Sequence, residues 1–288
     1  MAKIEPVGGV DAGSGSPPPL TRARAVARHV IRRRISAYPS IYLPLARRRH
    51  AQAVLGDDTE LVIDGFTRSA GTFAVVAFQL AQNGHVRVAH HLHAAAHLKA
   101  AAARAIPAIV PIRPPEATVL SAIIREPLVP VRQWLRSYTL FYAEILPLRG
   151  SQVVATFEQV TTDFGGVIAR LNERFGTDYR EFHHGDEEVE RCLALIEERS
   201  RRPPWEHLLG LFLSGRMSAD EYQEATARFR SDPGVKLPPV PENRVQRPSA
   251  ERRAHRDSLA PRYHARELAG LRAEADRLYE LMERETTG

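Results

Sequence analysis

The chain has 288 residues, 43% hydrophobic and 26% charged, which is the balance of a soluble globular protein with room for one large or two small domains. Its single cysteine, Cys192, excludes an internal disulfide and a cysteine-built zinc site, and fits a reducing compartment. The net charge of +6 is unevenly placed. Residues 1–50 hold Lys3 and nine arginines against Glu5 and Asp11, so the remainder is slightly acidic and lacks the basic body of a nucleic-acid-binding domain.

Residues 1–19 are rich in Gly, Ser and Pro and read as a disordered tail, with neither a secretory signal nor a membrane span in the sequence. From Thr21 to about Ala37 the pattern is helical, with Ala23, Val26, Val30 and Ile31 on one side and arginines around the rest, and Pro39 ends it. A short apolar piece, Ile41-Tyr42-Leu43, leads into Arg47-Arg48-Arg49. This acid-free stretch, a basic helical arm over 20–55, is open to two readings: peripheral contact with an anionic membrane through residues 21–50, or a basic helix packed on the domain edge. The expected location is the cytoplasm, with the arm able to bring the protein to the cytoplasmic face of a membrane.

The regular domain is expected over 56–288. Leu61-Val62-Ile63 reads as a buried strand running into a turn and a helix from Thr72 to Gln82, closed by Asn83-Gly84. Strands follow over 86–89, 107–112 and 152–157, separated by helices over 94–104, 115–124 and 130–146, with another helix over 163–175 stopped by Gly176. Strands alternating with helices predict an α/β fold, a mainly parallel sheet with helices on both faces. From His183 the chain reads as helical, with a proline-rich connection over 233–248. Leu268, Leu271, Ala275, Leu278 and Met282 form a stripe that should dock the last helix.

The segment from Gly65 to Phe73, Gly-Phe-Thr-Arg-Ser-Ala-Gly-Thr-Phe, lies between a strand and a helix, where backbone N–H groups and the helix dipole favour an anion. Arg68 adds a positive charge and Ser69 and Thr72 add hydroxyls. It lacks the Gly-x-x-x-x-Gly-Lys-Ser/Thr of a Walker A loop. It resembles instead the phosphosulfate loop of sulfotransferases that use 3′-phosphoadenylyl sulfate (PAPS), Gly/Tyr-x-Pro-Lys/Arg-Ser-Gly-Thr-Thr-Trp/Leu. Thr67 stands where that family has proline, and Ala70-Gly71 where it has Gly-Thr, so a loop needing positive φ at 70 would strain Ala70. Ile109 to Ser121 is similar to the family's strand-Arg-x-Pro-x-x-x-x-x-Ser element, in which the arginine and serine bind the nucleotide 3′-phosphate. The matching residues are Arg113 and Ser121. Residues 152–176 resemble a further, structural element of the family, and Arg247-Pro248-Ser249 with Arg252 and Arg253 resembles its late basic loop over the 3′-phosphate.

The resemblance implies a P-loop-like fold of sulfotransferase type and PAPS as donor. The implied donor-binding residues are Arg68, Ser69, Ala70, Gly71, Thr72, Arg113, Ser121, Arg252 and Arg253. It implies transfer of a sulfuryl group to a hydroxyl or amine of a small molecule, lipid or glycan, with Arg68 stabilising the leaving charge. His91-Leu92 resembles the His-Leu pair that carries the family's catalytic histidine, so His91 is the expected base, although Ala89 replaces a supporting lysine. His93 and His97 have the i, i+4 spacing of metal ligands, but no glutamate or third ligand accompanies them, and no metal is assigned. Two alternatives stay open: a P-loop kinase-like phosphotransferase, and a catalytically silent nucleotide-binding protein on the same fold.

Overall fold

Four short apolar segments form the sheet. β1 (Leu61–Ile63), β2 (Val88–His90), β3 (Ala108–Ile112) and β4 (Val153–Thr156) pair in the order β2-β1-β3-β4, every pair parallel. The computed structural model describes residues 18–286 other than 233, 236, 245, 246 and 248. The helices are α1 (Pro19–Ile35), α2 (Pro39–His50), α3 (Gly71–Ala81), α4 (Ala95–Ala103), α5 (Pro115–Arg125), α6 (Val131–Ile145), α7 (Phe157–Thr162), α8 (Phe164–Phe175), α9 (Asp186–Arg201), α10 (Glu206–Leu213), α11 (Ala219–Ser231), α12 (Ala250–Tyr263) and α13 (Ala269–Glu283).

Period-two alternation splits each strand between two cores. Val62, Ala89, Val110, Ile112 and Val154 face α4, α5, α6 and α13, while Leu61, Ile63, Val88, Ile109, Val153 and Ala155 face α3, α8, α9 and α10. Helices therefore cover both faces. Each buried Val, Leu or Ile contributes about 1.5–3 kcal/mol, so a one-residue slip, which would exchange every side chain between two differently shaped cores, is strongly disfavoured. The last helix docks as its stripe predicts, with Leu268, Ala275, Leu278 and Met282 buried against the α6 side.

Pro111 lies inside a central strand, where a missing N–H should break pairing. The break falls where β1 has already ended: β1 pairs with β3 only as far as Ile63 and Ile109, whereas Pro111 keeps its place opposite Ala155 of β4. Beyond that point the chain leaving β1 presses onto β3 so closely that a Cβ on Gly65 would stand 2.5 Å from the Pro111 carbonyl oxygen. After β1 the chain enters α3 on one face; after β3 it enters α5 on the other. The carboxyl ends of β1 and β3 thus flank a topological switch point, where open α/β sheets leave a crevice.

Some boundaries differ from the sequence reading. β2 begins at Val88 rather than 86, and β4 passes directly into α7, which the sequence reading does not separate. Thr156 and Gln159 form a reciprocal capping box that starts α7 at once. Residues 1–17 of the expected tail over 1–19 lie outside the described residues, whereas its last two residues belong to the helix start, Pro18 as the N-cap and Pro19 as the first residue of α1. Pro39 opens α2 rather than merely ending the preceding helix, and α2 absorbs both the apolar piece and the arginine run.

The arm of residues 20–55 is docked on the domain. Arg33 donates from Nη1 to the His93 carbonyl at 2.9 Å and lies over the Phe66 ring, 4.9 Å from its centroid. His29 bonds Ser137 Oγ at 2.8 Å, the Tyr42 hydroxyl donates to the Leu92 carbonyl, and Arg47 donates to the Leu55 carbonyl. The opposite side of the arm keeps Leu20, Ile31, Tyr38, Ile41 and Leu45 exposed among arginines. Among the described residues no helix is long and apolar enough to cross a membrane.

Candidate functional site

A cleft of about 610 Å³ opens over the carboxyl ends of β1 and β3, and it gathers most of the residues singled out in the sequence. Thr67, Arg68, Ala70, Gly71, Thr72, His91, Arg113, Ser121, Arg252 and Arg253 all line it. Ser69 does not. It is 1% exposed, buried beneath the loop beside Tyr142, because the turn that sends the side chains at 68 and 72 outward sends 69 inward.

Direct bonds join the two motifs. Arg68 Nε donates to Ser121 Oγ at 2.9 Å, and Arg113 Nη1 donates to the Arg68 carbonyl at 3.1 Å. The Arg113 guanidinium also lies over Phe157, 4.2 Å from the ring centroid, which orients it in the cleft. Its own carbonyl accepts from Tyr138 Oη at 2.9 Å and Thr118 Oγ1 at 3.2 Å, which fixes the chain leaving β3. Burial lowers the pKa of both guanidiniums to about 10. Arg252, Arg125 and Arg113 add to the effect at Arg68, and Arg256 and Arg252 at Arg113. Both stay charged at neutral pH.

Asp64, at the end of β1, is a buried brace for the loop. Its Oδ1 accepts from the backbone N–H groups of Gly65 and His93, each at 3.0 Å, and its Oδ2 accepts from His97 Nδ1 at 2.8 Å. Burial would raise its pKa, but the bond from His97 and the neighbouring His93 hold it below the ordinary carboxylate value. His97 Nε2 accepts from the Leu55 N–H at 3.2 Å, so both of its ring nitrogens are occupied. His93 Nδ1 donates to the Gly65 carbonyl at 2.9 Å. These bonds give the pair a bracing role, and among the described residues no group of His, Cys, Asp and Glu is arranged to hold a metal ion.

His91 sits on the rim. Its Nε2 is 3.0 Å from Thr72 Oγ1 and its Nδ1 is 2.7 Å from His90 Nδ1. Burial first, then the cations and rings of Arg199, His90 and His93, hold its pKa well below 6.5. At neutral pH the ring is therefore uncharged and keeps one nitrogen lone pair, while its lowered pKa weakens it as a base.

Backbone strain concentrates here. Of six non-glycine residues with positive φ among the described residues, Arg68, Ala70, His91, His93 and Arg202 line the cleft. Ala70 adopts φ 68°, ψ 13° as the residue before α3, the conformation for which an alanine is ill suited. Gly71 has no positive φ, and a Cβ there would meet nothing within 4 Å. Such strain, of order 1–3 kcal/mol per residue, persists where the surroundings over-determine it and is commonest at ligand sites.

Several lining residues were not singled out in the sequence. Arg125 ends α5, Arg199 and Arg202 end α9, Arg244 lies in a short 3-10 turn, and Glu206 begins α10. The available signal was Arg199-Ser200-Arg201-Arg202 halted by Pro203-Pro204, a cationic helix end with an abrupt stop. Arg247 also lines the cleft, but it is held by Glu190 and Glu197 of α9. The comparisons of this chain with known protein families, curated proteins and solved structures find no match.

Proposed function

We propose that this chain transfers a sulfuryl group from PAPS to a hydroxyl or amine acceptor. The observation that carries the reading is the convergence of Arg68, Arg113 and Ser121, bonded to one another, in a single cleft at the switch point of a parallel sheet. Arg113 and Ser121 would hold the 3′-phosphate, and Arg68 with the backbone amides and Thr72 at the start of α3 would hold the 5′ end. In the reaction the bond from sulfur to the bridging oxygen breaks as the acceptor oxygen or nitrogen bonds sulfur. The acceptor proton passes to neutral His91, and adenosine 3′,5′-bisphosphate leaves with its new charge facing Arg68.

Titration calorimetry with adenosine 3′,5′-bisphosphate tests the donor site. Losing one charge-assisted contact, worth about 1.5–3 kcal/mol, should weaken binding about tenfold or more in Arg113→Ala. Equal affinity in the two proteins would defeat the assignment.

Ala70 at φ 68°, where the family carries glycine, favours a second reading, a nucleotide-binding protein without transfer activity. It gains if the protein binds the nucleotide yet moves no labelled sulfate to a broad hydroxyl and amine panel. Magnesium-dependent ATP turnover would instead support the kinase-like alternative.

A further inference from the structure

Ten arginines line the cleft against two carboxylates, Glu126 and Glu206. They form two groups. Arg252 and Arg256 act on Arg68 and Arg113 at the β1–β3 end, whereas Arg125, Arg199, Arg202 and Arg244 come from the ends of α5 and α9 and the late turn; Arg125 borders both groups, since it acts on Arg68 and is acted on by Arg252. The second group is the one to which the proposed donor assigns no role. Among the described residues none of its four guanidiniums has a carboxylate partner within 4.0 Å; Glu206 acts on Arg199 and Arg244, and Glu126 on Arg125, from beyond that distance.

The four charges are held rather than scattered. Arg199 donates from Nη1 to Thr72 Oγ1 at 3.3 Å, and Thr72 in turn contacts His91, so the group borders the rim where the base stands. Arg125 donates to the Asn243 carbonyl at 3.2 Å, tying α5 to the turn that carries Arg244. Arg202 is fixed at φ 53° immediately before Pro203-Pro204, in a conformation that costs an arginine about 1–2 kcal/mol. Burial, then mutual repulsion, lowers the pKa of Arg199, to about 10, and of Arg125 and Arg244, against the partial relief that Glu206 gives Arg199 and Arg244 and that Glu126 gives Arg125. Like charges gathered in a partly desolvated cleft oppose folding unless an anion offsets them. A donor with its phosphates and sulfate has its counter-charges in the first group, which leaves the second with four cations against Glu126 and Glu206.

We infer that the second group, Arg125, Arg199, Arg202 and Arg244, is an acceptor-side anion subsite, and that the acceptor carries a phosphate, sulfate or carboxylate close to the hydroxyl or amine it presents. This inference rests on the sulfotransferase reading for the word acceptor; the anion subsite itself does not. Neutral alcohols and phenols are then poor ligands, because they leave the excess positive charge of this group unbalanced.

The test uses the full chain saturated with adenosine 3′,5′-bisphosphate and titrated with glucose 6-phosphate, glucose 6-sulfate, glucuronate and glucose. At least one charged sugar should bind and glucose should not, and the preferred one identifies the anion type. In Arg202→Gln and Arg244→Gln, at residues exposed enough to spare the core, binding of that sugar should fall about tenfold while nucleotide affinity changes less than about twofold. Equal binding of charged and neutral sugars, binding of none, or joint loss of sugar and nucleotide affinity in the variants would overturn the subsite. If the nucleotide itself fails to bind, the donor reading fails. The same titrations on the nucleotide-free protein then decide the anion subsite separately.

Discussion

Replacing Ala70 by glycine should stabilise this protein, although alanine-to-glycine changes ordinarily do the reverse. Ala70 sits at φ 68°, ψ 13° just before α3, where an L-residue with a Cβ carries about 1–2 kcal/mol of strain. Glycine releases that strain. Against it stand about 0.4–1 kcal/mol from the greater freedom of glycine in the unfolded chain and about 0.4 kcal/mol from a half-buried methyl group, half of a fully buried one. The net gain is about 0.5 kcal/mol, a rise of about 1–2 °C in Tm for a chain of this size. Ala74→Gly supplies the contrast. Ala74 is fully buried inside the same helix, so that change loses helix propensity and packing together, about 1–2 kcal/mol. Scanning fluorimetry of both variants beside the parent protein should give shifts of opposite sign four residues apart. A fall in Tm for Ala70→Gly comparable to that for Ala74→Gly would refute the strain argument.

Acid should destabilise the fold through its buried, neutral histidines. Burial, with nearby arginines, lowers His29 to about 4 and His90 to about 3, and burial lowers His93 to about 4, against an ordinary value of 6.5. The unfolded chain takes up these protons from about pH 6.5 downwards while the folded chain does not, so stability falls as pH drops through that window. Each group contributes up to about 1.4 kcal/mol per pH unit. A Tm that stays level from pH 7 to about pH 5 would contradict this. Gly65→Ala should cost about 1–3 kcal/mol, because the added methyl meets the Pro111 carbonyl oxygen at 2.5 Å and neither backbone can yield cheaply. A urea midpoint unchanged from the parent would show that the loop and β3 are looser than they stand.

The site was legible in so far as its residues are consecutive or regularly spaced. Arg68 to Thr72 could be read as an anion-binding turn because a strand, a glycine-bearing turn and a helix follow one another in the chain, and Arg113 with Ser121 because one helix sets their separation. Ser69 shows the limit. Its residue type fits the motif, but the direction of its side chain depends on backbone torsions at 68 and 70, and those torsions turn it inward beside Tyr142. His93 and His97 show it again. Their spacing alone suggests metal ligands, whereas the carboxylate that engages both rings is Asp64, just past β1 and some thirty residues earlier in the chain.

By itself the sequence determined the alternation of four strands with helices over residues 61–175, the mainly parallel sheet covered on both faces, the docking stripe of the last helix and the turn that follows β1, because all of these follow from local propensity and hydrophobic period. Only the tertiary structure decided that the basic arm packs its Arg33 over Phe66, and that four arginines from α5, α9 and a late turn line one cleft, with Arg199 reaching Thr72. The physical reason is the same in both cases. A single arginine on a helix end is equally stable in water wherever the helix goes, so its sequence neighbours carry no information about the charges it will face. Packing of distant elements around one sheet fixes those distances.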